Sequence, residues 1–186
     1  MRERTELRPV PGLHGEHVIE VLPGFPVFRL EEASLDGLNR LMQLEGDIFG
    51  SEAAGEWYMV SHIHHGNVMI LVDAQKRHSA GLAILMRDWD EVDKCYLADF
   101  GIRADYRGKG LGSRFLKKVL ELVREDGFSR MSLTVDTSNA PAIGLYKKHG
   151  FKIVDERRNL YGQGRDRYIM ELEVDPDKSA SEQPLT

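Results

Sequence analysis

The amino-acid sequence predicts an α/β protein in which helices pack on a mixed sheet. Three observations carry this prediction: the order of segments, the two-residue alternation of apolar residues near Met131, and the helical spacing of apolar residues after Leu111. Strands come first, a strand–helix–strand–helix series follows, and strands close the chain. With 186 residues, 41% of them hydrophobic, the chain has room for one domain with a core of ordinary size.

Composition and charge exclude several classes of function. The chain has 25 Lys and Arg against 30 Asp and Glu, a formal net charge of -5, so general attraction to nucleic-acid phosphates is weak. The single cysteine, Cys95, can form neither an intramolecular disulfide nor a cysteine-rich metal site. No apolar run approaches the roughly 18 residues of a membrane span. The charged residues at the start of the sequence are not followed by the apolar segment of an export signal. We therefore expect a cytoplasmic protein that binds neither nucleic acid nor membrane.

The beginning of the chain predicts an extension, a short strand and a helix. Residues 1–26 hold several prolines and glycines around one apolar stretch, 18–22, and predict an N-terminal extension with one strand. Residues 27–30 predict a second strand. After Ser34, a candidate N-cap, leucines recur at helical spacing up to about Phe49, which predicts the first helix.

The middle of the chain predicts a hairpin and then a strand, a loop and a helix. Two apolar segments, 67–72 and 80–86, flank a polar loop and predict two strands joined as a hairpin. The apolar run 95–102 predicts a further strand, which a glycine-containing loop separates from periodic apolar residues between Leu111 and Val123. These periodic residues predict a helix that starts directly after the loop.

The last third predicts one more strand and helix and then two closing strands. Apolar residues alternate with polar ones over 131–135, which predicts a strand, and residues 140–149 predict a helix. The apolar runs 151–154 and 168–174 predict a closing pair of strands. The polar residues 175–186 predict a flexible tail.

The glycine-rich loop is the first candidate for a binding site. Gly108, Gly110 and Gly112 allow the backbone to approach a ligand closely, and the helix that begins near Leu111 directs its first amides at an anion such as a pyrophosphate. The spacing differs from the dinucleotide-binding fingerprint because, counted from Gly110, the sixth position is Phe115. By itself the loop could also be only a tight connection between a strand and a helix.

Two segments together resemble the GNAT superfamily of N-acetyltransferases. Residues 107–112 resemble its R/Q-x-x-G-x-G/A acetyl-CoA pyrophosphate loop, and residues 139–151 are similar to its N-x-x-A-x-x-L-Y-x-x-x-G-F segment. The resemblance covers about residues 27–174, which we take as the N-acetyltransferase domain. It implies a mixed, mostly antiparallel central sheet with helices on both faces. It also implies direct transfer of an acetyl group from acetyl-CoA to a primary amine.

The resemblance implies which residues hold acetyl-CoA and which one donates a proton. Tyr146 matches the superfamily's tyrosine near the CoA sulfur, and a phenol still carries its proton at neutral pH. Asn139 matches a pantetheine-contacting residue, and it is also placed to be the N-cap of the helix that follows. The implied acetyl-CoA-binding residues are Ile102, Arg107, Gly108, Lys109, Gly110, Leu111, Gly112, Asn139 and Tyr146.

A general base must remove a proton from the acceptor amine, and two carboxylates are candidates. Asp99 lies on the strand before the glycine-rich loop. In polyamine and related acetyltransferases an acidic residue occurs one place earlier, where this chain has Ala98. The other candidate, Asp136, ends the next strand, where an aspartate is commonly a turn residue. We expect Asp99 and Tyr146 to be the catalytic pair.

The closing loop indicates a class of acceptor. Residues 157–170 resemble the corresponding loop and strand of the ribosomal-protein alanine N-acetyltransferases, which implies a protein N-terminus as acceptor. That subfamily has a glutamate base at the position of Thr134, so the match is incomplete. The acceptor is therefore expected to be either a protein N-terminus or a small molecule. The sequence leaves a homodimer open.

Three histidines form the remaining cluster that could carry chemistry. His62 and His64 are expected on one face of a strand, which would begin a zinc site, but no neighbouring ligand completes it. We therefore expect no metal. With His65, Trp57 and Tyr58, they are expected in the variable, acceptor-binding part of the superfamily's site.

Two other functions compete with acetyl transfer. Thr134 and Ala98 stand where related enzymes have acidic residues, so the chain could be a non-catalytic acyl-CoA-binding module. A pure interaction protein that uses the fold as a scaffold is the third alternative.

Overall fold

The computed structural model of the chain describes residues 10–174. Its strands are β1 (Leu13–Glu20), β2 (Pro26–Ala33), β3 (Asn67–Asp73), β4 (His78–Arg87), β5 (Lys94–Ile102), β6 (Arg130–Asp136), β7 (Lys152–Arg157) and β8 (Arg167–Glu173). Its helices are α1 (Leu35–Phe49), α2 (Glu56–His65), α3 (Leu111–Glu125) and α4 (Ala140–Lys148). The predicted flexible tail, residues 175–186, and the first nine residues of the predicted extension lie outside the described residues.

The strands form a mixed sheet that is mostly antiparallel. They are hydrogen-bonded in the order β1-β2-β3-β4-β5-β6-β8-β7. The pairs β1–β2, β2–β3, β3–β4, β6–β8 and β7–β8 are antiparallel, whereas β5 and β6 run parallel. This order confirms the predicted fold class. None of the helices within residues 10–174 is long and apolar enough to cross a membrane.

The described residues divide into two compact units. Residues 10–86 and 99–118 form the first unit, and residues 87–98 and 119–174 form the second. The chain passes between the units within β5 and within α3.

The first unit is built around the β3–β4 hairpin and α1. The β3 residues 68–72 are all fully buried, and each such aliphatic side chain contributes about 1.5–3 kcal/mol when it leaves water. Ser34 caps α1 as predicted, because its Oγ accepts a hydrogen bond of 3.2 Å from the Gly37 amide. The Ser34 amide donates to the Gly12 carbonyl at 2.8 Å. The start of β1 is therefore fastened to the start of α1.

The second unit is built around β6. Its apolar residues Met131, Leu133 and Val135 are buried, in agreement with the predicted alternation. Asn139 caps α4, because its Oδ1 accepts a hydrogen bond of 3.1 Å from the Ala142 amide. The predicted N-cap role of Asn139 is thus confirmed, and it fixes where α4 begins.

Two predicted elements were wrong in position or type. The first strand is Leu13–Glu20 rather than 18–22, because pairing with β2 selects these residues although they alternate only weakly. His62 and His64 were expected on a strand but lie on α2, which spans Glu56–His65. A short segment with few apolar residues does not distinguish the helical period from the strand period. Burial of Met59, His62 and Ile63 in the fold therefore decides that the segment is a helix.

Candidate active site

The glycine-rich loop lies in the first unit between β5 and α3. Gly108 and Gly110 have φ angles of 78° and 73°, which glycine adopts without strain. A Cβ atom on either would have no protein atom within 4 Å, so the loop faces open space. The first hydrogen bond of α3 runs from Arg114 N to Gly110 O at 3.2 Å, so the Leu111 and Gly112 amides precede it. This arrangement suits an anionic ligand such as a pyrophosphate.

The Arg107 side chain shapes this loop rather than extending into it. Its Nε donates to the Ile102 carbonyl at 2.7 Å, and its Nη2 donates to the Ile48 carbonyl at 3.3 Å. The guanidinium therefore ties the end of β5 and the end of α1 to the loop. The groups of the predicted pyrophosphate loop that remain available to a ligand are the main-chain amides of 108–112 and the exposed side chain of Lys109.

Replacing Gly110 by Ala is expected to weaken acetyl-CoA binding about tenfold, or about 1.4 kcal/mol, while the protein stays folded. The new Cβ meets no protein atom but stands where the backbone must approach the ligand, and the positive φ becomes strained. Calorimetric titration measures the change. Gly24→Ala is the matched control, since Gly24 also has a positive φ, 84°, and open space around it. Equal losses in both variants would contradict a role of the loop in binding.

Asp99 occupies a half-buried position on β5 in the same unit. The phenol of Tyr58, on α2, donates to Asp99 Oδ2 at 3.1 Å. The His62 ring lies against the Tyr58 ring, tilted by 35° with centroids 4.0 Å apart, and its Nδ1 lies 2.7 Å from the Tyr58 carbonyl. Burial raises the pKa of Asp99 from its ordinary value, against the smaller lowering effects of the Tyr58 hydrogen bond and of His62. A carboxylate in this environment takes up a proton more readily than an exposed one.

Glu45 is a second buried carboxyl group of the first unit, and sequence reasoning missed it. It lies on the buried face of α1 and is 1% exposed. Its Oε1 accepts a hydrogen bond of 2.8 Å from the Ala54 amide, whereas its buried Oε2 has no hydrogen-bond partner among the described residues. Burial raises the pKa of Glu45, and the negative charge of Asp99 adds to the increase. In the sequence, only the position of Glu45 among the leucines of α1 could have indicated that its side chain is buried.

Replacing Glu45 by Gln is expected to raise the free energy of unfolding at pH 7 by about 1 kcal/mol, because an amide costs less to bury than a carboxylate. The pKa of Glu45 is higher in the folded than in the unfolded state, so its penalty appears as pH rises through those two values. The gain should therefore vanish in acid. Urea unfolding at pH 7 and in acid measures this gain in stability. Replacing the exposed Glu125 by Gln is the control. A loss of stability at pH 7 would contradict the prediction.

Tyr146 and Asn139 lie in the second unit, on α4 and at its start. Tyr146 is 7% exposed, and its ring packs edge-on against Phe151 with centroids 5.6 Å apart. Beyond the end of α4, the Phe151 amide donates a hydrogen bond of 3.1 Å to the Tyr146 carbonyl. The G-F part of the predicted motif thus anchors the tyrosine, and Asn139 sets the first turn of the helix that carries it.

Thr134 links two tyrosines of the second unit. Its Oγ1 lies 2.9 Å from the Tyr96 phenol on β5 and 3.3 Å from the Tyr161 phenol in the β7–β8 loop. The Arg167 guanidinium lies over the Tyr161 ring at 4.9 Å. Three hydroxyl groups therefore stand where the resemblance led us to look for a glutamate. Sequence reasoning missed Tyr96, which no local pattern marks.

Asp136, the other predicted candidate base, is held in an ion pair. Its Oδ2 lies 2.5 Å from Arg167 Nη1, and its Oδ1 accepts hydrogen bonds from the Ser138 amide and hydroxyl at 2.8 and 2.6 Å. These Ser138 hydrogen bonds and the charge of Arg167 lower the pKa of Asp136. The two candidate carboxylates thus have opposite pKa shifts.

The three histidines of the cluster differ in their surroundings. His62 is buried beside Tyr58, whereas His64 and His65 are exposed at the end of α2. No group of three or more potential metal ligands occurs in the part of the chain that the structure describes.

Comparison with known proteins identifies a family whose model matches this chain. The model of the acetyltransferase (GNAT) family matches residues 38–151. A Bacillus subtilis protein, named as a candidate ribosomal protein bS18-alanine N-acetyltransferase, is 30% identical over 137 residues, which cover 73% of this chain and 89% of that protein. An L-methionine sulfoximine/L-methionine sulfone acetyltransferase of Pseudomonas aeruginosa is 35% identical over 82 residues, 42% of this chain and 48% of that one.

Solved structures agree in fold. The crystal structure of the ribosomal-protein-S18-alanine N-acetyltransferase from Escherichia coli superposes with a TM-score of 0.68 at 24% identity, over 81% of this chain and 94% of that chain. At this identity the likeness establishes the fold alone.

Proposed function

Since the chain belongs to the GNAT family of acetyltransferases, which transfer the acetyl group of acetyl-CoA to amines, we propose that its acceptor is the α-amine of a protein N-terminus. Acetyl-CoA is the cosubstrate, and the chain is an acetyl-CoA-dependent N-acetyltransferase. The observation that carries the proposal is the environment of Asp99, a half-buried carboxylate with a raised pKa and a fixed hydrogen bond from Tyr58.

The α-amine fits this base better than a lysine side chain does. An α-amine has a pKa of about 7.7–8.0, whereas that of a lysine ε-amine is about 10.4. At pH 7 roughly a tenth of an α-amine is already neutral, so the carboxylate has to deprotonate a smaller share of the acceptor molecules than it would with a lysine. The names of the two relatives described above give an alanine of a ribosomal protein as one acceptor and L-methionine sulfoximine or L-methionine sulfone as the other. Of these, the Bacillus subtilis protein aligns over more of the chain.

Asp99 is assigned the role of general base. Its carboxylate accepts the proton that the acceptor nitrogen loses as the new N–C bond forms. Tyr58 holds the carboxylate in one orientation through the 3.1 Å hydrogen bond. Asp136 is not assigned this role, because taking up a proton would break its ion pair with Arg167.

Tyr146 is assigned the role of general acid. The buried phenol donates its proton to the sulfur atom that leaves as a thiol, so protons balance between the amine and the sulfur. Packing against Phe151 restricts the ring to one orientation. When bound, acetyl-CoA supplies the activated acetyl thioester. The residues that would hold it are the main chain of 108–112, Lys109 and Asn139.

The experiment that tests the proposal combines binding and turnover. Saturating acetyl-CoA, at about 100 times its Kd, should add about 2.7 kcal/mol and raise Tm by roughly 5 to 11 °C. Thiol release should then appear with peptides that have a free N-terminus and be absent with N-acetylated peptides that keep a lysine. Release with free methionine sulfone but no peptide would reassign the acceptor to a small molecule. A Tm shift without any release would favour the non-catalytic acyl-CoA-binding alternative.

We also propose a cytoplasmic location. Cys95 is a buried free thiol, and burial raises its pKa to about 12, so it stays protonated and unreactive. A chain with one such thiol has no need of an oxidising compartment.

A further inference from the structure

We propose that the loop between β4 and β5 docks an arginine-rich or lysine-rich segment of a partner protein. This loop, residues 88–93, is called the Trp89 loop below. The inference concerns a surface distinct from the catalytic residues and does not depend on the acceptor proposed above.

Trp89 and Val92 project from the Trp89 loop into solvent. Trp89 is 98% exposed and Val92 is 80% exposed. Single exposed apolar residues are common on protein surfaces, but a fully exposed tryptophan is not, because it forfeits the largest apolar contact area of any side chain. Tryptophan is also the residue most enriched among those that dominate binding energy at protein interfaces. Two exposed apolar side chains on one short loop therefore indicate a contact surface.

The Trp89 loop is held in one conformation by its own hydrogen bonds. Asp88 Oδ1 accepts from the Asp90 and Glu91 amides at 2.9 and 3.1 Å. The Asp88 amide donates to the Lys94 carbonyl at 3.1 Å, and the Lys94 amide donates to the Glu91 carbonyl at 2.9 Å. Trp89 is therefore presented on an ordered support, which lowers the conformational entropy lost on binding.

Ion pairs fasten the base of the Trp89 loop to the sheet. Arg130 of β6 lies 2.6 Å from Glu91 and 2.9 Å from Asp93, and Lys94 lies 3.0 Å from Glu91. The Arg130 hydrogen bond is the main reason that the pKa of Asp93 falls to about 2. The charges of Glu91 and Asp93 are thus balanced within the fold.

The two remaining carboxylate residues of the loop are the sequence neighbours of the tryptophan. Asp88 and Asp90 precede and follow Trp89 in the sequence, and neither forms an ion pair within residues 10–174. The loop's own amides and, to a smaller extent, the charges of Lys94 and Arg130 lower the pKa of Asp88, so it stays ionised. An exposed indole with a carboxylate residue on each side of it in the sequence suits a guanidinium or ammonium group, which gains from the aromatic ring and from the negative charge together. The same charge opposes contact with anionic lipid surfaces. A basic peptide segment is therefore the partner that the loop fits best.

The test uses the fluorescence of Trp89. In a Trp57→Phe variant Trp89 is the only tryptophan, since the chain has two. Titration with a synthetic peptide of alternating arginine and serine should change its emission in a saturable manner, and the affinity should fall as salt is added. A peptide of alternating glutamate and serine of equal length should give no change.

Variants of the loop locate the contact. With a fluorescein-labelled arginine–serine peptide, Trp89→Ala in the otherwise unchanged chain should weaken binding about tenfold or more, and Asp90→Asn should weaken it several-fold. Leu35→Ala, which removes another exposed apolar side chain, is the control and should bind as the unaltered chain does. Circular dichroism and Tm confirm that each variant is folded.

Four results would overturn the inference. One is the absence of a saturable change with the basic peptide, and another is an equal change with the acidic peptide. A blue shift with phosphatidylcholine vesicles but not with the basic peptide would assign the loop to a lipid surface. A shift that depends on protein concentration alone would assign it to a second copy of the chain.

Discussion

Replacing Tyr146 by Phe is expected to lower kcat by a factor of about 10² to 10⁴, the usual contribution of a positioned general acid. The substitution removes the phenolic proton but keeps the ring, which is 7% exposed and packs against Phe151. Acetyl-CoA binding, measured by titration calorimetry, should change little. The rate measured by thiol release should fall at every pH, because the departing sulfur no longer receives a proton from the protein.

The matched control for this substitution is Tyr168→Phe. Tyr168 is a half-buried tyrosine on β8 of the same unit, and removing its hydroxyl should leave kcat close to that of the unaltered chain. A Tyr146→Phe variant with an unchanged rate across pH would remove the phenol from the mechanism. Equal losses in both variants would indicate a general effect of tyrosine replacement on the second unit.

Replacing Asp99 by Asn is expected to lower kcat by a factor of about 10² to 10⁴ and to abolish the acidic limb that Asp99 gives to the pH profile of kcat. In the unaltered chain only the ionised carboxylate acts as base, so activity is lost as pH falls through the pKa of Asp99. Burial raises this pKa, so the limb should lie above the range of an exposed aspartate. Measuring kcat against pH with a saturating peptide acceptor tests this expectation.

Two further variants separate a catalytic role of Asp99 from a structural one. Tyr58→Phe removes the hydrogen bond that lowers the pKa of Asp99, so the acidic limb should move to higher pH with kcat at the plateau nearly kept. Asp136→Asn should retain the limb. A limb that persists in Asp99→Asn and disappears in Asp136→Asn would transfer the role of base to Asp136.

Local sequence patterns predicted the elements whose residues carry their own signal. The glycines at 108 and 110 adopt positive φ angles, and the helix that follows them begins at Leu111, as the periodicity indicated. Asn139 caps α4 because an asparagine side chain can reach the amide three residues ahead. Such features depend on neighbours within a few residues, so the sequence alone contains the information. The same holds for the two motifs that resemble the GNAT superfamily.

The environment of each candidate base could not be predicted in the same way. Asp99 and Asp136 are both aspartates on strands, yet burial raises the pKa of the first and Ser138 and Arg167 lower that of the second. The partner of Asp99, Tyr58, is 41 residues away in the chain. A pKa depends on solvent exclusion and on charges in space, and neither is a property of adjacent residues.

The sequence by itself determined the family, the glycine-rich loop and the tyrosine of α4, because each rests on short-range spacing, and it determined the fold class through the order of segments along the chain. Tertiary structure alone decided that His62 lies on a helix beside Tyr58, that Glu45 is buried on α1 and that Thr134 joins Tyr96 to Tyr161. These contacts join residues from separate elements. They arise only when the strands and helices pack, since burial and hydrogen bonding depend on the arrangement of the chain in three dimensions.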